Sequence, residues 1–339
     1  MYIHKYVIII LSIFLALNVQ LSAAERFEFE QIHMAVPIRV LLYADSEEVA
    51  EQCVKTAFEQ FEKINKIMSD YDRESEIVKL TLKNDARFQD SIPESVDDDW
   101  YKISDDLYDV LKAARHYSEI SDGAFEVSIS PLVQLWRRAK RQQKWPKEED
   151  IATARNLTGL KYWDLDDANK KIRLLKKGIR FDLGAIAKGY AIDRAFEAIQ
   201  RGGIKTCLID AGGDMRLGDA PPDGWRIGIV KTDEQKEPIL NLKLDNISLA
   251  TSGDTFQYFE MGGKRYSHII DPKTGLPLTT RCIVTVKAKT AMEADALASV
   301  VSVLGSEKGI ELINALPDVE TFIVQEGEEL KFYRSANWK

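Results

Sequence analysis

Gly178-Ile179-Arg180-Phe181-Asp182-Leu183-Gly184-Ala185-Ile186-Ala187-Lys188-Gly189-Tyr190 holds the turn on which the reading of this 339-residue chain rests. Ile179-Arg180-Phe181 reads as a short strand. Ile186, Tyr190, Ala195, Phe196 and Ile199 then recur at helical spacing up to Gln200, and Gly202-Gly203 stops the run. Small residues at a strand-to-helix junction let a ligand approach the backbone, and a helix N-terminus offers unpaired N–H groups to an anion. Lys188 adds a positive charge there, and Asp182 can accept hydrogen bonds from a sugar or base. A tightly packed turn with a helix-capping Asp is the bland alternative that spacing alone leaves open.

Downstream, Thr206 to Ile209 reads as a strand followed by a Gly212-Gly213 turn. Trp225 to Val230, Ile247 to Ala250, Phe256 to Glu260 and Cys282 to Ala288 read as further strands, with Gly262-Gly263 as a hairpin turn. A last amphipathic helix spans Ala291 to Leu304. Upstream, Phe27 to Tyr43 alternates as strands do. Ser46 to Met68 carries Val49, Cys53, Phe58, Phe61, Ile64 and Ile67 near helical spacing. Ser104 caps another helix, with Leu107, Val110, Leu111, Ala114 and Tyr117 on one side, and Ser121-Asp122-Gly123 ends it. The charged stretch from Arg137 to Asp150 contains Trp145-Pro146. It reads as a surface excursion or mobile loop, with a plain solvated helix as the alternative. The mixture predicts an α+β fold of mixed, largely antiparallel sheets with packed helices, as one domain over 25–339; a division into two lobes is the alternative.

Composition narrows the function. Hydrophobic residues make up 45% of the chain, enough for a sizeable core, and the formal net charge is −8, which argues against a general nucleic-acid or anionic-membrane binder. Lys5, the apolar run Tyr6 to Val19 and the small residues Ser22-Ala23-Ala24 predict a cleaved signal peptide over 1–24, with an uncleaved anchor as the alternative. Cys53, Cys207 and Cys282 are far apart and odd in number, so no disulfide framework or zinc spacing emerges. No G-x-G-x-x-G, Walker A, G-x-S-x-G or H-E-x-x-H motif is present.

Two further clusters can carry chemistry. Ser252-Gly253-Asp254 precedes Tyr266-Ser267-His268, which leads into the strong turn Asp271-Pro272-Lys273-Thr274-Gly275. A histidine at that strand end can act as a general base at neutral pH, or be a satisfied structural residue. In the last helix, Thr290 and Glu293 form a capping box. Asp295 and Ser299 lie four apart on one side, and a carboxylate and a hydroxyl so placed suit a hard cation such as Mg²⁺. An acid favoured by the helix dipole beside an incidental serine is the alternative.

Taken in order, these segments resemble the ApbE family of FAD:protein FMN transferases, from about Ile32 to about Leu304. Met68-Ser69-Asp70-Tyr71-Asp72 with Ser75-Glu76-Ile77, Asp122-Gly123-Ala124-Phe125, and Pro131-Leu132-Val133 with Trp136 come first. Asp182 to Tyr190, Gly212-Gly213-Asp214, Ser252-Gly253-Asp254, His268 to Gly275 and Asp295 to Ser299 follow. The resemblance implies an ApbE-like fold and transfer of FMN from FAD to a Thr or Ser hydroxyl, with release of AMP. It implies that Met34, Tyr71, Gly123, Ala124, Phe125, Asp182, Lys188, Ser252 and His268 contact FAD, Tyr71 by packing on a ring of the cofactor. It implies further that the Ala185 carbonyl, Asp295 and Ser299 hold Mg²⁺, and that His268 deprotonates the incoming hydroxyl.

The chain departs from the family pattern in places. Met34-Ala35-Val36 stands where Met-Gly-Thr is usual, Glu126-Val127-Ser128 where Asp-Pro-Thr is usual, and Ser299 where a Thr is usual. The family prefers acceptors of the form Ser/Thr-Gly-Ala-Ser/Thr. This sequence contains no such tetrapeptide, so the expected partner is a separate protein, an exported or membrane-embedded redox subunit, in the periplasm or at the outer face of the inner membrane. Hydrolysis of FAD to FMN and AMP, and flavin binding without catalysis, are the competing functions.

Overall fold

The structure, a computed structural model, describes residues 24–90, 100–230, 237–253 and 258–338, with the backbone alone for 86–90. The expected signal segment, apart from Ala24, and Asp254 lie outside the described residues. Among the described residues no helix is long and apolar enough to cross a membrane.

The chain opens with the hairpin β1 (Glu25–His33) and β2 (Val36–Ala44). Helix α1 (Glu47–Met68) follows; Ser46 caps it by accepting from the Val49 N–H, and Glu47 and Glu48 occupy the positive end of its dipole. Helix α2 (Glu76–Asp90), strand β3 (Trp100–Lys102) and helix α3 (Asp105–Ile120) come next, then α4 (Ser130–Gln142) and α5 (Glu148–Arg155). Strands β4 (Trp163–Asp166) and β5 (Lys171–Leu174) join β3 in a three-stranded antiparallel sheet. Helix α6 (Ala187–Arg201) leads to β6 (Cys207–Ala211), β7 (Asp214–Leu217), β8 (Trp225–Ile229), β9 (Leu240–Leu244) and β10 (Ser248–Gly253). The small hairpin β11 (Tyr258–Met261) and β12 (Lys264–Ser267) precedes β13 (Cys282–Ala288), α7 (Ala291–Asn314), β14 (Glu320–Gln325) and β15 (Lys331–Arg334).

One eight-stranded sheet organises the rest, in the order β1-β2-β6-β7-β10-β13-β14-β15, antiparallel at every step. Alternation along each strand sends side chains to two cores. Val40, Leu42 and Ile209 face α1, α6 and α7, which line one face of the sheet. Leu41, Leu208, Leu217 and Leu249 face the β8–β9 hairpin and Trp338 on the other. A third cluster joins α4, α5 and the β11–β12 hairpin through Leu132, Trp136, Ile151, Phe259 and Ile270.

Three expectations change. Ile179-Arg180-Phe181 joins no ladder; the Gly178 N–H and the Arg180 guanidinium go to Asp85 of α2, and the Asp182 N–H goes to the Val127 carbonyl. The stretch 137–150 is not a loop: it holds the end of α4, a short link and the start of α5. Trp145 pins that link, its ring 4.8 Å from Trp136 and 5.3 Å from Tyr266. The last helix continues to Asn314, past a break at Gly305, whose φ of 79° no other residue adopts cheaply.

The strand ends matter for function. The β1–β2 turn at Met34–Ala35 and the β6–β7 turn at Gly212–Gly213 lie at the same end of the sheet, because β2 pairs with β6 from Ile38 opposite Ala211. Gly212 faces the Val36 side chain there. Met34 and Ala35 have φ of 49° and 64°, the left-handed pair that a two-residue hairpin turn demands. For residues with a Cβ this costs about 1 kcal/mol or more each, so the usual glycine at position 35 is absent where its freedom would count.

Candidate active site

The floor of the site is the crossing of α6 and α7. Gly189 sits in the first turn of α6, and a Cβ there would lie 2.3 Å from the Ala291 carbonyl oxygen, so only glycine lets the helices approach this closely. The Gly189 N–H donates to Asp295 Oδ2 at 3.0 Å. In return, Asp193 of α6 accepts the Ala291 and Met292 N–H groups of α7, both at 2.9 Å. Each helix thus receives its N-terminal cap from a carboxylate of the other.

Behind this crossing, Lys188 Nζ lies 2.6 Å from Asp214 Oδ2, and Asp214 Oδ1 accepts the Thr251 N–H at 3.1 Å. Asp214 opens β7, directly after the Gly212–Gly213 turn, and is almost wholly buried. Burial opposes the Lys188 charge, yet Asp214 and Asp295 outweigh it and hold its pKa above the usual lysine range. Asp295 is pushed up to about 7, by burial first and then by the Asp214 charge, against the pull of Lys188 and the Gly189 N–H. Its carboxylate is therefore only partly neutralised by the protein.

That condition suits a metal ion. Asp295 is buried against the start of α6, Ala185 lies in the turn that enters α6, and half-buried Ser299 follows Asp295 by one turn of α7. A carboxylate, a hydroxyl and a main-chain carbonyl make an all-oxygen set, the chemistry of a hard cation. Among the described residues no group of three or more His, Cys, Asp or Glu side chains gathers to form a metal cage. By its chemistry the donor set could hold an ion that keeps other ligands from water or phosphate, as Mg²⁺ does.

A second wall stands at the entrance to α6. Asp182 Oδ1 accepts the Gly184 N–H at 2.9 Å, and its Oδ2 faces Arg137 Nη2 at 3.3 Å. Burial and the neighbouring Asp70 charge raise the Asp182 pKa, against the Gly184 N–H and Arg137. Tyr71, beside Asp70, is 77% exposed.

The third part is a pair of turns. Asp122 and Gly123 both have positive φ and close the end of α3, with the Gly123 N–H on the Ser118 carbonyl at 2.8 Å. Lys273 of the Asp271–Gly275 turn pairs with Asp122, so the two turns adjoin. Asp271 shapes that turn by accepting the Lys273 N–H and the Thr274 hydroxyl, and the Trp136 indole N–H anchors it at the Gly275 carbonyl, 2.8 Å away. His268 is exposed, between the end of β12 and this turn. Gly123 borders the outside, whereas Ala124 and Phe125 are buried, Phe125 edge-on to Tyr117. Ser252 is half-buried near the end of β10, opposite Val284 of β13. Met34 packs against the main core from the hairpin turn.

The structure brings Lys188 and Asp295 together, and it joins Asp182 to Asp70 and Tyr71 through Arg137. Sequence reasoning gave no role to Arg137, Asp193 or Asp214. Asp214 had a signal, a lone acid behind a double-glycine turn at a strand start. Asp193 and Arg137 had none, because their partners lie far away along the chain: 98 and 99 residues for Asp193, 45 and 67 for Arg137.

Comparison with known proteins identifies the family. Residues 34–323 match the ApbE family. An FAD:protein FMN transferase of Vibrio cholerae is 30% identical over 325 residues, which cover 91% of this chain and 92% of that protein. One from Escherichia coli K12 is 30% identical over 284 residues, 81% of this chain and 80% of its own. The crystal structure of Pseudomonas stutzeri flavinyl transferase ApbE, in its apo form, superposes with a TM-score of 0.78 at 26% identity, over 93% of this chain and 96% of that one. With matched residues reaching from the first hairpin turn to β14, this chain belongs to the ApbE family.

Proposed function

We propose that this chain transfers the FMN half of FAD to a threonine or serine hydroxyl of an acceptor protein, in a Mg²⁺-dependent reaction that releases AMP. The observation that carries the reading is the α6–α7 crossing, where buried Asp295 meets the first-turn N–H of α6 beside Lys188. A buried carboxylate and a lysine at a helix N-terminus support a site where a cation and a pyrophosphate meet.

Asp295, Ser299 and the Ala185 carbonyl would hold Mg²⁺, which when bound offsets the charge that builds on the phosphates. Lys188, held by Asp214, adds a positive charge beside the same charge. His268, at the open rim, accepts the proton of the acceptor hydroxyl. The hydroxyl oxygen bonds to the FMN phosphorus, the P–O bond to AMP breaks, and AMP leaves with that electron pair. FMN remains as a phosphodiester on the acceptor. Lys5, the apolar run after it and Ser22-Ala23-Ala24 support export, which would put the acceptor among periplasmic or membrane-bound redox proteins.

The test mixes the purified chain with FAD, Mg²⁺ and a protein bearing a Ser/Thr-Gly-Ala-Ser/Thr segment, then measures acceptor mass and free AMP. The expected result is an acceptor heavier by one FMN and an equal amount of AMP. FMN and AMP without a mass gain would make the chain a hydrolase. FAD retained with no AMP would make it a carrier.

A further inference from the structure

Arg137 leaves the middle of α4 and spans two carboxylates. Its Nη1 lies 2.8 Å from Asp70 Oδ2 and its Nη2 lies 3.3 Å from Asp182 Oδ2. Asp70 follows the C-terminal cap of α1, and Asp182 opens the turn into α6, so one side chain ties together three elements. The same guanidinium lies over the Tyr71 ring, its central carbon 4.6 Å from the ring centroid. Among the described residues it is the ring's one aromatic or cationic partner.

Each contact has a physical consequence. Asp70 and Asp182 repel, and the Asp70 charge already raises the Asp182 pKa. Arg137 between them offsets that repulsion. A guanidinium is planar and rigid, so its fork can hold two acids while its face backs an aromatic ring, which an ammonium cannot do. Tyr71 is thereby fixed on one side and open on the other, with 77% of its surface exposed. A ring ordered in advance loses less entropy when a planar ligand stacks on it.

We propose that Arg137 is a positioning residue for the flavin nucleotide, holding the Tyr71 ring and the Asp182 carboxylate as one preformed wall against which a planar ring of the substrate stacks. The inference rests on the FAD-binding reading above. It also gives α4, whose charged run looks merely solvated, a place in substrate recognition.

The experiment is a double-mutant cycle on FAD binding, read by flavin fluorescence in the full chain with Mg²⁺ present. Wild type is measured first, and failure to bind FAD would refute the functional reading itself and this inference with it. Given binding, Arg137→Met should raise the FAD dissociation constant roughly tenfold, in line with a desolvated cation–aromatic contact. Arg137→Lys should recover only part of this, because an ammonium has no planar face to back the ring while it pairs with the acids. In a Tyr71→Ala background, Arg137→Met should add less than a twofold loss. With an acceptor protein present, the KM for FAD should rise while kcat at saturating FAD changes less than twofold. An unchanged dissociation constant in Arg137→Met would overturn the proposal. So would effects of the two positions that simply multiply, or a loss confined to kcat. Should Arg137→Met fail to fold, Arg137→Lys run through the same cycle decides the matter by the same criteria.

Discussion

The floor of the site and its rim are built on opposite principles. At the floor, Gly189, Asp193 and Asp295 lock α6 to α7 through main-chain N–H groups, with no space for even one added carbon. At the rim, Tyr71, Arg137 and His268 are side chains on turns and a helix flank, exposed or half-exposed, the first two held by stacking and charge. In the proposed reaction the phosphate and metal chemistry would be the same for every turnover and tolerate little movement, because a small displacement of reacting atoms costs much of the rate. Acceptor proteins are large and arrive from outside, so the parts that meet them sit on the surface. The contrast teaches that the invariant half of the reaction is bound into the core, and the variable half is not.

The contrast can be broken from either side. Asp295→Ala should have the largest effect, a fall in transfer on the order of a thousandfold, since it removes the one carboxylate of the proposed cation site. Excess chelator on wild type should match it; a variant that keeps wild-type turnover would show that the floor does not hold the metal. His268→Ala should lower transfer on the order of a hundredfold, as loss of a general base does, while FAD stays bound. Equal loss of binding and transfer would merge rim and floor into one unit. Gly189→Ala should act on stability, costing about 3 kcal/mol from the clash with the α7 backbone, seen as a melting point several degrees lower. A variant as stable as wild type would mean the crossing is looser than the structure shows. Ala35→Gly should have the smallest effect and the opposite sign, adding about 1 kcal/mol by relieving the left-handed turn at the sheet end. Unchanged or lowered stability would remove strain from the account of that turn.

Much of the floor was legible in the sequence. The Asp182–Tyr190 stretch and the Thr290–Ser299 helix start are local patterns, and small residues with capping signals announce their conformations directly. Helices α1, α3 and α6 likewise show one apolar side each, whereas α7, read as amphipathic, is buried nearly all round from Ala294 to Ser302; the antiparallel sheet follows from short alternating runs separated by glycine turns. What the sequence hid was assembled over distance. Ile179 and Phe181 are buried like strand residues, but burial comes from the core and not from a ladder, and apolar spacing cannot tell the two apart. Gly305 looks like a helix stop because a local break and an ending carry the same residue. Strands β3, β4 and β5 are three or four residues long, too short for alternation to register. Arg137 sits in a run of charge that solvent alone would explain, and only its partners mark it.

The reciprocal caps of α6 and α7 carry a thermodynamic implication. Asp295 serves at once as a metal-binding candidate and as the end-stop of a core helix, so whatever satisfies it tightens the scaffold as well. Saturation and heat resistance become readings of one equilibrium. Adding nucleotide and cation should shift the whole unfolding transition upward, and a protein stripped of both should loosen first where the two helices meet.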